Sequence, residues 1–198
     1  MKIKQIKPQD NDLSESKVRL IAHLIGDGCV FKSKTNYSIK YEVVDEDLLQ
    51  EFEKDLIEVY GLNPTKGFHA SGKTGRLIPF VLLRSKLAYE DLKKYCDYGS
   101  YVWWVPFQIQ QASFDLKKIF LRALFDDEGT VVAQYHSAIV RLYSINKTGL
   151  EQVRELLYQL NISSKIYGGF GLKRNIFGIV IYDLSSFYSQ IGFNCSRK

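Results

Sequence analysis

Val18–Gly28 reads VRLIAHLIGDG and Ile119–Gly129 reads IFLRALFDDEG. The second is a near copy of the first, 101 residues on: Val18 corresponds to Ile119, Leu20 to Leu121, Ala22 to Ala123, Leu24 to Phe125, Asp27 to Glu128 and Gly28 to Gly129. Leu20, Leu24 and Asp27, like Leu121, Phe125 and Glu128, are spaced i, i+4, i+7. Each acid therefore shares a face with the apolar residues before it, and each segment reads as a buried helix whose last turn holds a carboxylate. Gly28 and Gly129 are the expected helix stops. Ala22 and Gly26 are four apart, as are Ala123 and Asp127, a spacing that lets two helices packed side by side approach closely. Their ends would bring Asp27 and Glu128 together. Carboxylates at helix C-termini oppose the macrodipole, and two in proximity repel unless a cation joins them. The pair asks for a divalent metal. One copy alone would read as an amphipathic helix with a solvated terminal acid; two copies with matched acid and matched glycine do not.

The 198 residues, 45% of them hydrophobic, can bury a real core, and the repeat divides them into two fused halves. A net charge of +5 is a weak pointer to a polyanionic partner. Cys29, Cys96 and Cys195 form neither a CxxC pair nor a metal spacing with His23, His69 or His136, and read as reduced thiols. No apolar run reaches membrane-span length and no signal-peptide core follows MKIKQIKPQD, so a soluble cytoplasmic protein with no membrane contact is expected.

Residues 1–12 are polar and read as loosely ordered, and Ser14 starts the first motif helix. A hairpin follows over Val30–Val44, with Tyr37, Ile39, Tyr41 and Val43 alternating with Ser38, Lys40 and Glu42, and with Lys32, Lys34 and Lys40 on one exposed face. Next come a helix over Asp47–Tyr60, a hairpin turning at SGKTG (Ser71–Gly75) whose return strand carries Ile78, Phe80 and Leu82 to Arg84, and a helix over Lys86–Tyr98 anchored by Leu87 and Leu92. Gly99–Phe114 has no charged residue and is expected to pack against the protein. The element order then repeats: hairpin Thr130–Ile145, helix Thr148–Leu160, hairpin Lys165–Tyr182, and a last helix Leu184–Ile191. Phe80, Arg84 and Leu87 align with Phe177, Ile181 and Leu184 at an offset of 97. Strands of about ten residues would span ~33 Å, close to one turn of duplex, so two halves would follow about twenty base pairs.

LIAHLIGDG (Leu20–Gly28) and LRALFDDEG (Leu121–Gly129) resemble the two motifs of a single-chain LAGLIDADG homing endonuclease, and the resemblance covers the whole chain in length and repeat spacing. It implies an α+β fold of two pseudo-symmetric αββαββα halves, residues 1–98 and 115–198 joined by a linker over 99–114. The motif helices would pack at the centre, and two antiparallel four-stranded sheets would form a DNA-binding saddle. The activity implied is intron-encoded, site-specific cleavage of double-stranded DNA across the minor groove. Mg2+ would be held by Asp27 and Glu128 with the backbone carbonyls of Gly26 and Asp127, and Ca2+ would bind without supporting cleavage. The metal would activate water and stabilise the leaving oxygen. The family adds basic or polar residues around the acids; Arg84 matches such a place, its counterpart Ile181 cannot serve, and Lys147 is the second-half candidate. Asp127 stands where the family often has a small residue, a departure that works against close helix packing.

Contacts to DNA are expected from Lys32, Lys34, Tyr37, Lys40, Lys66, Lys73, Arg76, Arg84, Tyr135, Arg141, Tyr143, Lys165, Lys173, Arg174 and Tyr182, cations and tyrosines on or beside the strands. A monomer is expected, needing no protein partner and reading a long non-palindromic site, since the halves differ on the surfaces that would meet bases. Two alternatives use the same scaffold: a maturase acting on its own intron RNA, and a DNA-binding regulator that does not cleave. Gly67–Thr74 (GFHASGKT) matches a phosphate loop letter for letter but lacks the strand-to-helix context, so no nucleotide site is expected. Asn194–Cys195 resembles an intein junction, but Phe193 stands where the usual His would be and Met1 where the nucleophile would be. Splicing by this chain is rejected. His23 and His136 are unaccompanied and are not read as metal ligands.

Overall fold

A computed structural model describes residues 13–72, 75–134 and 137–198. Ser14 caps the first motif helix, α1 (Glu15–Ile25), accepting the Lys17 N–H at 3.2 Å. A hairpin, β1 (Gly28–Lys32) and β2 (Tyr37–Glu42), leads to α2 (Glu46–Tyr60), which stops at Gly61 in the left-handed conformation, φ 63°. A second hairpin, β3 (Thr65–Ala70) and β4 (Leu77–Arg84), leads to α3 (Lys86–Leu92). The short α4 (Phe107–Gln110) interrupts the connection to the second motif helix, α5 (Phe114–Glu128). Then β5 (Gly129–Gln134), β6 (Ser137–Ser144), α6 (Lys147–Gln159), β7 (Ser164–Phe170), β8 (Ile176–Ile181) and α7 (Leu184–Gln190) repeat the order.

Each half is an antiparallel four-stranded sheet, β1-β2-β4-β3 and β5-β6-β8-β7. In the first, Ile39, Tyr41, Val81 and Leu83 point to the helices; in the second, Val140, Leu142, Ile179 and Ile181 do so. One core joins both sheets to the motif helices, whose Leu20, Ile21, Leu24, Leu121 and Phe125 are nearly or completely buried. Each such Leu, Ile or Phe contributes about 1.5–3 kcal/mol by leaving water. Among the described residues, no helix covers the opposite face of either sheet. The α+β, two-half architecture expected from the repeat is the one observed.

Several local expectations are corrected. α1 ends at Ile25, and Gly26, not Gly28, is its cap, donating to the Ala22 carbonyl at 3.0 Å. Asp27 therefore lies in the turn after the helix, whereas Glu128 is still helical. α3 stops at Leu92, short of the expected Tyr98; Ser85 caps its start, its hydroxyl accepting the Ala88 N–H, and the helix buries Ala88 and Leu92 while Leu87 is exposed. The strands have five to eight residues, not ten. The charge-free connection does pack against the protein: Trp103, Val105 and Ile109 are buried. Gly149, at the start of α6, makes room for Trp103, since a Cβ there would lie 2.4 Å from the indole ring. Gly149→Ala should cost about 1–3 kcal/mol in denaturant unfolding, and Trp103→Ala in the same chain should remove most of that cost. Additive losses would show that the indole does not depend on this glycine.

Candidate active site and nucleic-acid interface

α1 and α5 cross where Gly26 meets Asp127. A Cβ on Gly26 would lie 2.5 Å from Asp127 Oδ2, so the glycine is the space the aspartate fills. Asp127 thus permits the close approach it was expected to oppose, because its side chain is fully buried and partnered. Tyr41 donates its hydroxyl to Oδ1, and His23 Nδ1 lies 3.1 Å from Oδ2. Nε2 of His23 faces Glu51 at 3.5 Å, and Arg19 reaches Asp55 with two bonds of 2.7 and 2.8 Å. A ladder of charge thus runs from α2 through α1 to the end of α5. Burial acts to lower His23, but Asp127 and Glu51 outweigh it and lift the imidazole to about 10. Sequence reasoning missed this network and left His23 unaccompanied. Its signal was present: Arg19 and His23 are four apart on α1, and Glu51 and Asp55 are four apart on α2.

This network places the two acids. Burial raises Glu128 to about 7, with the charges of Asp27 and Asp127 adding to it; burial and Asp127 raise Asp27 to about 6. Asp27 still keeps an exposed surface. Glu128 opens into a cavity of about 280 Å³ shared with Gly26, Ser100, Trp103 and Tyr143. Asp27 and Glu128, one from each half and both raised chiefly by burial with neighbouring negative charge adding, are a set of oxygen donors deficient in positive charge. Such a set fits a hard divalent cation. The Asp127 carbonyl accepts from Lys198 Nζ at 3.0 Å.

The strand registers sort the remaining residues. On the first sheet, Lys40 and Arg84 lie on the open face with Cys29, Glu42, Phe80 and Leu82, and Lys40 is ion-paired to Glu42. Lys32 is on the other face, 5.0 Å over the Tyr37 ring, and Tyr37 itself packs on Tyr89 of α3. Lys66 also turns to the helix side, where Glu53 takes it at 2.7 Å. These three do not join the open face, and Lys32 and Lys40 do not share a side. On the second sheet, Arg141, Tyr143, Lys165 and Tyr182 share the open face with Tyr167, which sequence reasoning missed. Arg141 donates to the Tyr143 hydroxyl at 3.1 Å, while its Nε is buried without a hydrogen-bond partner. Lys34, Arg76, Lys173 and Arg174 lie at or beside the hairpin turns. Lys73, Tyr135 and His136 lie outside the described residues, as do 1–12.

Two assignments change. Lys40 pairs with Leu82 and Arg141 with Val180, so the offset between β4 and β8 is 98 and the counterpart of Arg84 is Tyr182. The offset of 97 matched Phe80 to Phe177 by letter, but one residue of slip inverts a strand's faces, and Ile181 is buried. Lys147 opens α6 and pairs with Glu151 at 3.5 Å, with no interaction joining it to either acid among the described residues. Gly67 lies within β3 of a hairpin, so GFHASGKT has no helix behind it to receive phosphate.

Residues 115–191 match the model of a LAGLIDADG-like domain. The homing endonuclease I-DmoI in complex with DNA and Mn superposes on 90% of this chain and 96% of its own, with a TM-score of 0.65 at 17% identity. The chain therefore shares the two-half fold of this homing endonuclease. I-WcaI bound to its DNA recognition sequence matches 95% of the chain and 90% of its own with a TM-score of 0.62 at 16% identity, and the N-terminal LAGLIDADG domain of WhiA matches 92% and 83% with 0.56 at 13%. An uncharacterized protein of Methanocaldococcus jannaschii is 25% identical over 83% of this chain; the chain spans 62% of that relative's length. No described helix is long and apolar enough to cross a membrane.

His23 is held above its unfolded value by Asp127 and Glu51, so the stability it adds to the packed motif helices is complete below about pH 6.5 and is lost as pH rises through about 10. Denaturant unfolding from pH 6.5 to 10 should show that decline, and His23→Gln should flatten it. Parallel pH slopes for the two proteins would remove His23 from the charged ladder.

Proposed function

We propose that the chain is a site-specific, divalent-metal-dependent DNA endonuclease of the intron-encoded homing type, acting as a monomer on a long duplex site without palindromic symmetry. What supports this reading is that α1 and α5 pack together and end near Asp27 and Glu128, so that the charge of Asp27 helps burial to raise Glu128. Asp27 and Glu128 supply carboxylate oxygens to the metal, with the Gly26 and Asp127 carbonyls beside them. Hard oxygen ligands favour Mg2+, and Ca2+ would take the same donors without supporting cleavage. When bound, the ion supplies an activated water and stabilises the leaving oxygen.

The protein's own part is to bind and orient the duplex. Lys40 and Arg141 occupy equivalent places, paired across the strand with Cys29 and Thr130, two residues beyond each acid. They are the basic groups best placed to take the flanking phosphates, and the orphaned Nε of Arg141 calls for an anionic partner. Arg84 and Lys165 extend the positive track outward, with Lys34, Arg76, Lys173 and Arg174 toward the hairpin turns. The Arg84-to-Tyr182 difference means the halves present unlike chemistry to bases, hence unlike half-sites. One observation favours a DNA-binding protein that does not cleave: Lys198 already engages the Asp127 carbonyl.

Incubation with Mg2+ and DNA of the uninterrupted target allele should yield a double-strand break. Asp27→Asn or Glu128→Gln should lower cleavage ~10²-fold or more while leaving gel-shift affinity largely intact. Full cleavage by either variant would remove that carboxylate from the mechanism, and binding without cleavage by the wild type would favour the regulator. Lys40→Ala and Arg141→Ala should each weaken binding and reduce its salt dependence by about one phosphate contact.

A further inference from the structure

The segments that follow α3 and α7 cross over reciprocally between the halves. After α3, Trp103 accepts from Asn146 Nδ2 at 2.5 Å and the Val105 N–H donates to Gln152 at 2.8 Å, both on the second half. After α7, Arg197 pairs with Asp45 at 2.8 Å, the Ser196 N–H donates to Asp47 at 2.9 Å, and Asn194 Nδ2 reaches Glu51 at 3.4 Å, all on the first half. Asp45 and Glu51 stand 101 residues before Asn146 and Gln152, so the two crossings are related by the internal repeat. The α3 crossing has no charged residue at its end; the α7 crossing ends in a cation. Lys198 Nζ donates to the carbonyls of Phe125, Asp126 and Asp127, at 3.1, 2.5 and 3.0 Å.

Those carbonyls lie in the last turn of a helix that ends in three acids, Asp126, Asp127 and Glu128, against the direction of its dipole, and the Phe125 carbonyl also accepts the Gly129 N–H. The backbone N–H groups of Asn194 and Cys195 meanwhile both donate to Asp126 Oδ1 at 2.9 Å. The segment leading to the ammonium is therefore anchored at four successive residues, Asn194 to Arg197. The cluster Asp45, Asp47 and Cys195 could itself suggest a metal site, but Arg197 and Ser196 already use both acids.

We propose that Lys198 is a positioning residue of the candidate active site: the protein's own cation, which caps the carbonyl end of α5 in the metal-free protein and competes with a divalent ion for the Asp127 carbonyl. The proposal rests on the reading of Asp27 and Glu128 as metal-binding. The ammonium complements the negative end of the α5 dipole and keeps three consecutive acids compatible with a helix. It also makes metal entry an exchange, in which the ion must outbid a tethered charge for one of its ligands. The field of Lys198 acts on both Asp27 and Glu128, lowering each against the burial that raises them. Two consequences of opposite sign follow from one substitution: removal of the ammonium weakens the metal-free fold and strengthens metal binding.

The test is a titration of the free chain, residues 1–198, with Mn2+ followed by electron paramagnetic resonance, with melting measured in parallel. Lys198→Met should bind Mn2+ about tenfold more tightly than the wild type. Its metal-free melting temperature should fall by about 2–4 °C. Lys198→Arg, which keeps the charge, should stay near the wild type in both. Lys198→Gln serves as a second neutral variant should the methionine chain fail to fold. Unchanged or weaker Mn2+ binding in the neutral variants overturns the proposal, whatever the melting shows, because a purely structural cap would move only the melting. A wild-type chain that binds no Mn2+ would instead overturn the metal reading of Asp27 and Glu128, and the proposal with it.

Discussion

The contact between Gly26 and Asp127 is the constraint on which the rest depends. It lies where the end of α1 meets α5, and it works because one residue has no side chain and the other has a carboxylate that must be satisfied. An unpaired buried carboxylate would cost several kcal/mol. Here Tyr41 and His23 bring a hydroxyl and a positive charge to it, and both come from the first half while Asp127 comes from the second. The halves are thus held in one register by a polar interaction that their apolar surfaces alone would not dictate. Glu51, Arg19 and Asp55 continue the same logic into α2, so the orientation of the motif helix is tied to the helix behind it.

Everything at the candidate centre inherits that geometry. The crossing sets how far Asp27 projects beyond the end of α1 and where Glu128 ends α5. It also concentrates negative charge, and the raised Glu128 and Asp27 are the consequence. Two devices offset the excess, one buried and one from the segment after α7. His23 neutralises Asp127 from within, and Lys198 complements the helix end. The sheets, by contrast, are spared this crowding: the core of their helix-facing sides is mostly aliphatic, with Tyr41 the exception, and their open sides carry cations, tyrosines, Glu42 and a few apolar groups.

The sequence made the overall plan legible because its signals were strong and redundant. Two copies of an apolar helix ending in acid and glycine, each followed by a hairpin, a helix and another hairpin, leave few alternatives. Failures came where a single residue's phase mattered. Pairing Arg84 with Ile181 looked reasonable because Phe80 and Leu87 have lettered matches at the same offset, yet strand periodicity makes one step decisive, and hydrogen-bond register identifies Tyr182. Lys32, Lys66 and Tyr37 were assigned to the open face by residue type, although alternation puts them on the other side. The His23 ladder was harder to see, since its partners lie 28 and 104 positions away on other helices, and its meaning emerges only when α1, α2 and α5 are packed together. Lys198 gave no local signal at all: its role depends on where α7 points the chain.

The account's central claim is that helix packing brings Asp27 and Glu128 into one metal-binding centre. Anomalous diffraction from crystals soaked in Mn2+ tests it most directly. The account predicts a peak coordinated by carboxylate oxygens of both Asp27 and Glu128. A peak held by only one of them, or one found instead among Asp45, Asp47 and Cys195, would contradict it.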